Sequence, residues 1–257
     1  MRTLRTGFAM FVALGCLSSA AQAQPSFAGT WKLNLSKSQL TGQTLSVEKT
    51  PSGMMHFDSQ GFAYDFDLSG KDFPTPDGGA ASWRELNPTT WEATIKLNGK
   101  AIASYRLGLK GDDITAVMKA TKPDGTAMEQ TSTWHRVSGG PGFLGKWKST
   151  EVKGAPTTIE IALEGASGIS LKYPEFQIAC KGSFDGKDYP MTGAGANMKQ
   201  TLAFEKTGPN AMKVTTKVGG KPFYIDMFTL SSDGKTLTDD GTPVAANEPV
   251  KAVYERQ

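Results

Sequence analysis

Phe27-Ala28-Gly29-Thr30-Trp31-Lys32 and Phe143-Leu144-Gly145-Lys146-Trp147-Lys148 are one phrase written twice, 116 residues apart (27 to 143). A second pair keeps the register: Gly70-Lys71-Asp72-Phe73-Pro74 returns as Gly186-Lys187-Asp188-Tyr189-Pro190, again displaced by 116. Trp134-His135-Arg136 closes the first copy and Tyr254-Glu255-Arg256 closes the second. Self-similarity at a fixed displacement sets the architecture before any local propensity does. The chain is an internal duplication.

Within each copy the pattern is that of strands and turns. Trp91-Glu92-Ala93-Thr94-Ile95-Lys96-Leu97 alternates apolar and polar side chains, and Asn98-Gly99 supplies the positive backbone dihedrals of a tight hairpin. Ile114 to Ala120, Thr158 to Leu163 and Met212 to Val218 alternate in the same way. Turns are signalled at Pro123-Asp124-Gly125, Asp185-Gly186, Gly219-Gly220, Asp233-Gly234 and Asp240-Gly241. No window sustains a helical period. Val137-Ser138-Gly139-Gly140-Pro141-Gly142 breaks the ladder and reads as the connector between copies. Roughly 115 residues per copy allow about eight short strands, and closing them into an up-and-down barrel hides their unpaired edges. The expected fold is all-β: two tandem antiparallel up-and-down barrels, a first over 24–137 and a second over 143–257, joined by a linker at 138–142. A single continuous sheet is the architectural alternative, and the duplicated end motifs argue against it.

The first 23 residues have the form of a secretion signal. Arg2 and Arg5 precede the apolar run Phe8 to Leu17, and Ala21-Gln22-Ala23 offers small residues for cleavage after Ala23. The residues before Cys16, Ala13-Leu14-Gly15, fit a lipoprotein site poorly. No later segment approaches the ~18 apolar residues of a membrane-spanning helix. Losing Arg2 and Arg5 leaves 26 of the 28 basic residues against 25 acidic ones, so the mature chain is nearly neutral and carries no nucleic-acid footprint. Cys16 leaves with the signal and Cys180 stays alone, which excludes an intramolecular disulfide. Stability must then come from apolar burial.

Gly-x-Trp on a first strand, matched by an Arg on a last strand, resembles the signature of the calycin superfamily, which includes lipocalins and fatty-acid-binding proteins. Phe27 to Leu33 is similar to the opening of fatty-acid-binding proteins, and Val253-Tyr254-Glu255-Arg256 to their closing strand. The resemblance implies that each Trp plugs one end of a barrel beneath an Arg, pairing Trp31 with Arg136 and Trp147 with Arg256. It also implies an interior able to carry a small apolar molecule. The helical lid of that family and the Arg and Tyr residues that hold a fatty-acid carboxylate have no counterpart here.

Single residues divide between scaffold and site. Trp31, Arg136, Trp147 and Arg256 read as closure residues, since a guanidinium over an indole accounts for their positions without a ligand. Lys71, Asp72, Phe73, Lys187, Asp188 and Tyr189 sit in the repeated Gly-Lys-Asp-aromatic-Pro motif, which reads either as a turn or as a loop at the barrel mouth. His56, after Met54-Met55, and His135 are too few imidazoles for a zinc or copper set, so no metal or cofactor is expected. Strand alternation turns His135 to solvent if Arg136 faces inward. Cys180 reads as a small buried apolar side chain, with no His in its copy to activate it. An enzyme would need acids such as Asp65, Asp67 or Asp226 to converge in a cleft.

With the secretion signal, the calycin resemblance implies a secreted or periplasmic, non-catalytic binding protein for a small apolar ligand held in a lipocalin-like barrel. The alternative is a structural or protein-interaction module whose barrels are filled by their own side chains.

Overall fold

The computed structural model describes residues 25–121, 125–154, 157–193, 196, 198–246 and 248–257. The signal expected over 1–23, Cys16 and the Pro123-Asp124 turn lie outside them.

Alternating strands and Gly-containing turns produce an all-β chain, with two single-turn 3-10 helices, Leu35–Lys37 and Pro174–Phe176, among the described residues. The first ten strands are β1 (Gly29–Leu33), β2 (Thr44–Lys49), β3 (Met55–Ser59), β4 (Phe62–Phe66), β5 (Ser69–Pro74), β6 (Ala80–Asn87), β7 (Thr90–Leu97), β8 (Lys100–Lys110), β9 (Asp113–Thr121) and β10 (Ala127–Ser138). The second ten are β11 (Gly145–Gly154), β12 (Thr158–Glu164), β13 (Gly168–Tyr173), β14 (Ile178–Ser183), β15 (Tyr189–Gly193), β16 (Gln200–Gly208), β17 (Ala211–Val218), β18 (Lys221–Leu230), β19 (Thr236–Pro243) and β20 (Val250–Arg256). Each copy thus has ten strands where about eight were expected. The difference arises in the stretches between Thr44 and Pro74 and between Thr158 and Gly193, where connections of two to five residues cut the chain into strands of five to seven. Asn98 (φ 50°) and Gly99 (φ 75°) make the hairpin turn as expected. Asp240-Gly241 does not turn at all but lies inside β19, where the Tyr224 ring covers Gly241 so closely that a Cβ would sit 2.6 Å from it.

The strands form two antiparallel ten-stranded sheets that do not follow the two copies. One, called barrel one here, runs β4-β3-β2-β11-β10-β9-β8-β7-β6-β5. The other, barrel two, is the closed barrel β1-β12-β13-β14-β15-β16-β17-β18-β19-β20. β1 leaves its own copy and inserts between β12 and β20, while β11 takes the equivalent place between β2 and β10. Barrel one is therefore one continuous segment, 44–154, set into barrel two between that barrel's first strand and the rest. The division at 138–142 does not follow the sheets: residues 139–144 are the short loop of the β10–β11 hairpin within barrel one. The chain passes from one barrel to the other after Leu33 and after Gly154. Short antiparallel connections favour adjacent strands, which is why β11 pairs with β10 and not with β20.

This exchange reassigns the closure pairs. Arg256 stacks on Trp31 and Arg136 on Trp147, each with the guanidinium carbon 4.1 Å from the ring centroid, so both pairings implied by the calycin resemblance are swapped. In register, Trp31 faces Arg256 across β1–β20 and Trp147 faces Arg136 across β10–β11. Both indoles are fully buried, and their N–H groups donate to Phe27 O (2.9 Å) and Phe143 O (3.1 Å). The glycine two before each Trp is forced: Gly29 has φ 150° and Gly145 φ 138°, and a Cβ on Gly29 would lie 2.4 Å from Arg256 Nη1.

The barrels differ in closure and filling. In barrel two, β14 and β15 pair through Ile178–Gly193, Ala179–Thr192 and Cys180–Met191. The equivalent strands of barrel one, β4 and β5, share no ladder, so its wall is open there. Seventeen buried residues form the core of barrel two and nine form that of barrel one, so the second interior is the more completely packed.

Candidate functional site

Barrel one holds a half-open cavity of about 500 Å³. Its walls come from the inward alternates of successive strands: Leu45 on β2, Phe57 and Ser59 on β3, Phe62 and Tyr64 on β4, Trp83 on β6 and Ile95 on β7. Tyr105 and Leu107 on β8, Ala116 on β9, and Ser132 and Trp134 on β10 complete the circuit. Gln60, in the β3–β4 turn, and Phe223 stand with Phe62 at the remaining side. Phe223 belongs to barrel two, and its ring meets Phe62 edge-on with centroids 6.2 Å apart. A smaller void of about 40 Å³ lies next to the cavity, against Val47, Trp91, Ile114 and Phe143.

Ladder registers explain why one barrel is hollow and the other is not. Ser59 faces Phe62 as Tyr173 faces Ile178, and Leu107 faces Ala116 as Phe228 faces Asp239. Barrel two thus carries Tyr173, Phe228 and Asp239 where barrel one carries Ser59, Leu107 and Ala116. Tyr64, Trp83 and Tyr105 outweigh their counterparts Cys180, Phe204 and Asp226, so barrel one is not simply short of side-chain volume. Its space opens where the three smaller residues stand and where β4 and β5 part.

The polar atoms of the cavity are few and uncharged. Trp83 Nε1 donates to Tyr64 Oη (3.1 Å), and Trp134 Nε1 donates to Ser132 Oγ (2.9 Å). The Gln60 amide nitrogen is shielded from solvent and has no partner. Burial pushes the Tyr64 phenol up to about 12, against a smaller lowering by the Trp83 hydrogen bond, and burial raises Tyr105 too. Both phenols are neutral at ordinary pH. Among the described residues no Lys, Arg, Asp or Glu lines the cavity.

The repeated Gly-Lys-Asp-aromatic-Pro motif does not reach this cavity. Lys71, Asp72 and Phe73 lie in β5 at the edge of barrel one, where Asp72 pairs with Lys96 at 2.7 Å and Phe73 packs on the core. In barrel two, Asp188 pairs with Lys217 at 2.6 Å, Lys187 with Asp185 at 3.3 Å, and Tyr189 donates to Asp185 at 3.1 Å. Both copies use the motif to tie a strand start to its neighbours, and the mouth-loop alternative has no support in these positions. His56 and His135 are exposed partners of Asp65 (2.6 Å) and Asp113 (2.8 Å). Among the described residues no group of three or more His, Cys, Asp or Glu side chains is placed to hold a metal ion. Cys180 is buried against the barrel-two core, and burial pushes its thiol up to about 11.

One acidic pair does converge. Asp226 on β18 and Asp239 on β19 come together inside barrel two; burial, then the charge of Asp239, holds Asp226 well above the carboxylate range, and burial with the Asp240 charge raises Asp239. Burial comes first, and the Asp226 and Asp239 charges add to it, in raising the neighbouring Tyr173, Tyr224 and Tyr254 phenols. Asp65 and Asp67 are not part of it: Asp65 holds His56, and Asp67 caps the turn at Ser69 (2.8 Å). Asp239 was concealed in Thr238-Asp239-Asp240-Gly241, which has the composition of a turn. Counting alternates from Leu237 places it inward.

No family model, no curated protein and no solved structure matches this chain.

Proposed function

We propose that the protein is a non-catalytic, secreted or periplasmic binding protein that holds one small apolar molecule in barrel one. The observation that carries this reading is the cavity of about 500 Å³, within the range of known ligand sites and walled by aromatic and aliphatic side chains with a few placed hydroxyls. The Trp–Arg cap closing each barrel, similar to that of calycins, supports a carrier role by analogy. Barrel two is the scaffold: its packed core and its Phe223 complete the cavity wall. The reading that both barrels are filled interaction modules keeps its force only for barrel two. The acidic pair lies in that packed barrel, apart from the cavity, and neither of its members lines the cavity wall.

Titration with the neutral dye Nile red tests this reading. Trp83 and Trp134 line the cavity, so one equivalent should quench tryptophan emission while dye emission rises. A dye that stays dark at micromolar protein speaks against an open interior.

A further inference from the structure

Resting on that reading, we infer that the barrel-one cavity selects a neutral, flat-ringed ligand bearing a hydrogen-bond acceptor, such as an aryl ketone, over a fatty carboxylate or an organic cation. Three features of the cavity carry this.

The first is shape and surface. Seven of the fourteen lining residues are aromatic, and they come from β3, β4, β6, β8, β10 and β18, so ring faces and edges surround the space. Such walls favour stacked and edge-on contacts with a rigid ring over a flexible chain, which also loses rotamer freedom on binding.

The second is charge. A carboxylate entering this cavity loses its hydration and meets no Lys or Arg side chain on the wall, which disfavours it strongly. An organic cation finds ring faces but no acidic partner.

The third is the state of the polar atoms. Each indole N–H is already spent on a hydroxyl, Trp83 on Tyr64 and Trp134 on Ser132. A hydroxyl that accepts a bond still has its own hydrogen to give. Tyr64 and Ser132 therefore each have a proton to offer into the cavity that they line. Unsatisfied donors in an apolar wall are costly until an acceptor arrives. An ammonium group has no lone pair to answer them; a carbonyl oxygen does.

A matched series of naphthalene probes decides the question: acetylnaphthalene, ethylnaphthalene, naphthoate and naphthyltrimethylammonium, each titrated calorimetrically against the full mature chain. The expected result is that acetylnaphthalene binds about tenfold more tightly than ethylnaphthalene, the worth of one net hydrogen bond, with naphthoate and the cation weaker than both. In a Trp134→Phe background, where no indole N–H is released, Ser132→Ala should narrow the ketone advantage without weakening ethylnaphthalene, and circular dichroism checks that both variants fold. Equal binding of the ketone and the hydrocarbon overturns the donor argument while leaving the apolar carrier intact. Tightest binding by naphthoate or by the cation overturns the charge argument in the same way. Silence from all four probes, in a protein that also ignores Nile red, removes the carrier reading itself.

Discussion

The guanidinium of Arg256 lies over the indole of Trp31, its carbon 4.1 Å from the ring centroid, joining β20 to β1. The same guanidinium donates to the carbonyls of Gly234, Ala28 and Ser26, each at 2.6 Å. Arg136 reproduces the arrangement over Trp147, donating to Gly140 (2.7 Å), Gly142 (2.7 Å) and Leu144 (2.9 Å). Each Arg therefore both covers a buried indole and pins the loop that leads into the Trp strand. Because Trp31 belongs to barrel two by pairing, the Arg256 cap holds the two chain ends together.

Arg256→Met keeps the aliphatic cover but leaves three carbonyls short of a donor. Loss of the cation–π contact, about 0.5–2 kcal/mol, and of one charged hydrogen bond that water does not replace, about 1.5–3 kcal/mol, should together cost about 3 kcal/mol. Urea unfolding followed by tryptophan emission measures it. Arg136→Met should cost a similar amount, and a change below ~0.5 kcal/mol in both would remove the cap from the list of what holds these barrels.

The nesting of barrel one predicts which fragments fold. Residues 44–154 contain every strand of that sheet, so this fragment should fold alone, with β-sheet circular dichroism and dispersed amide resonances. Residues 24–137 lack β11 and carry an unpaired β1, so they should aggregate or stay unfolded. A folded 24–137 fragment with an unfolded 44–154 fragment would reverse the assignment.

The two fragments also show what was legible in the sequence. The Gly-x-Trp repeat gave away the duplication, and alternation in Trp91 to Leu97 or Met212 to Val218 placed those strands and their hairpins correctly. Strand exchange was not legible, because the repeats are alike: β1 and β11 present the same Gly-x-Trp face, and either docks beside an aromatic-x-Arg strand. Loop length decides between them, and Gly139-Gly140-Pro141-Gly142, which has the composition of a domain linker, is instead a tight hairpin loop. The cavity was hidden for a related reason. Ser59, Leu107 and Ala116 are ordinary strand residues, and only the register against Tyr173, Phe228 and Asp239 reveals that one repeat is hollow.

Copying barrel two's filling into barrel one should close the cavity. Ser59→Tyr with Leu107→Phe places the counterpart side chains in the space of about 500 Å³. Affinity for Nile red should fall at least about tenfold, by loss of roughly 1.4 kcal/mol or more, with the urea midpoint unchanged or raised because overpacking is avoided in an empty volume. Undiminished binding would place the dye elsewhere.

The acidic pair makes stability pH-dependent in a direction opposite to that of most carboxylates. Asp226 and Asp239 have folded-state pKa values raised above the unfolded 3.8, Asp239 to about 7. Their contribution is fully present below about pH 4 and is lost as pH rises through 7, since the unfolded chain ionises them freely. The urea midpoint should therefore fall between pH 5 and pH 8, and Asp239→Asn should flatten that slope. A midpoint that rises over the same interval, in the parent and the variant alike, would contradict the buried pairing.

Cys180 should be inert while the protein is folded. Its thiol is fully buried, and burial pushes it up to about 11, which leaves little thiolate at pH 8. Reaction with Ellman's reagent should proceed at the rate of global unfolding and become immediate in concentrated urea.

A barrel-one carrier should hold a molecule when it is taken from the cell. Native mass spectrometry of the mature protein purified from a periplasm, set against its denatured mass from the same sample, tests this most directly. The predicted result is an excess mass that disappears on denaturation and is absent from the Ser59→Tyr, Leu107→Phe variant. Identical native and denatured masses, together with no uptake of Nile red by the purified chain, would contradict it.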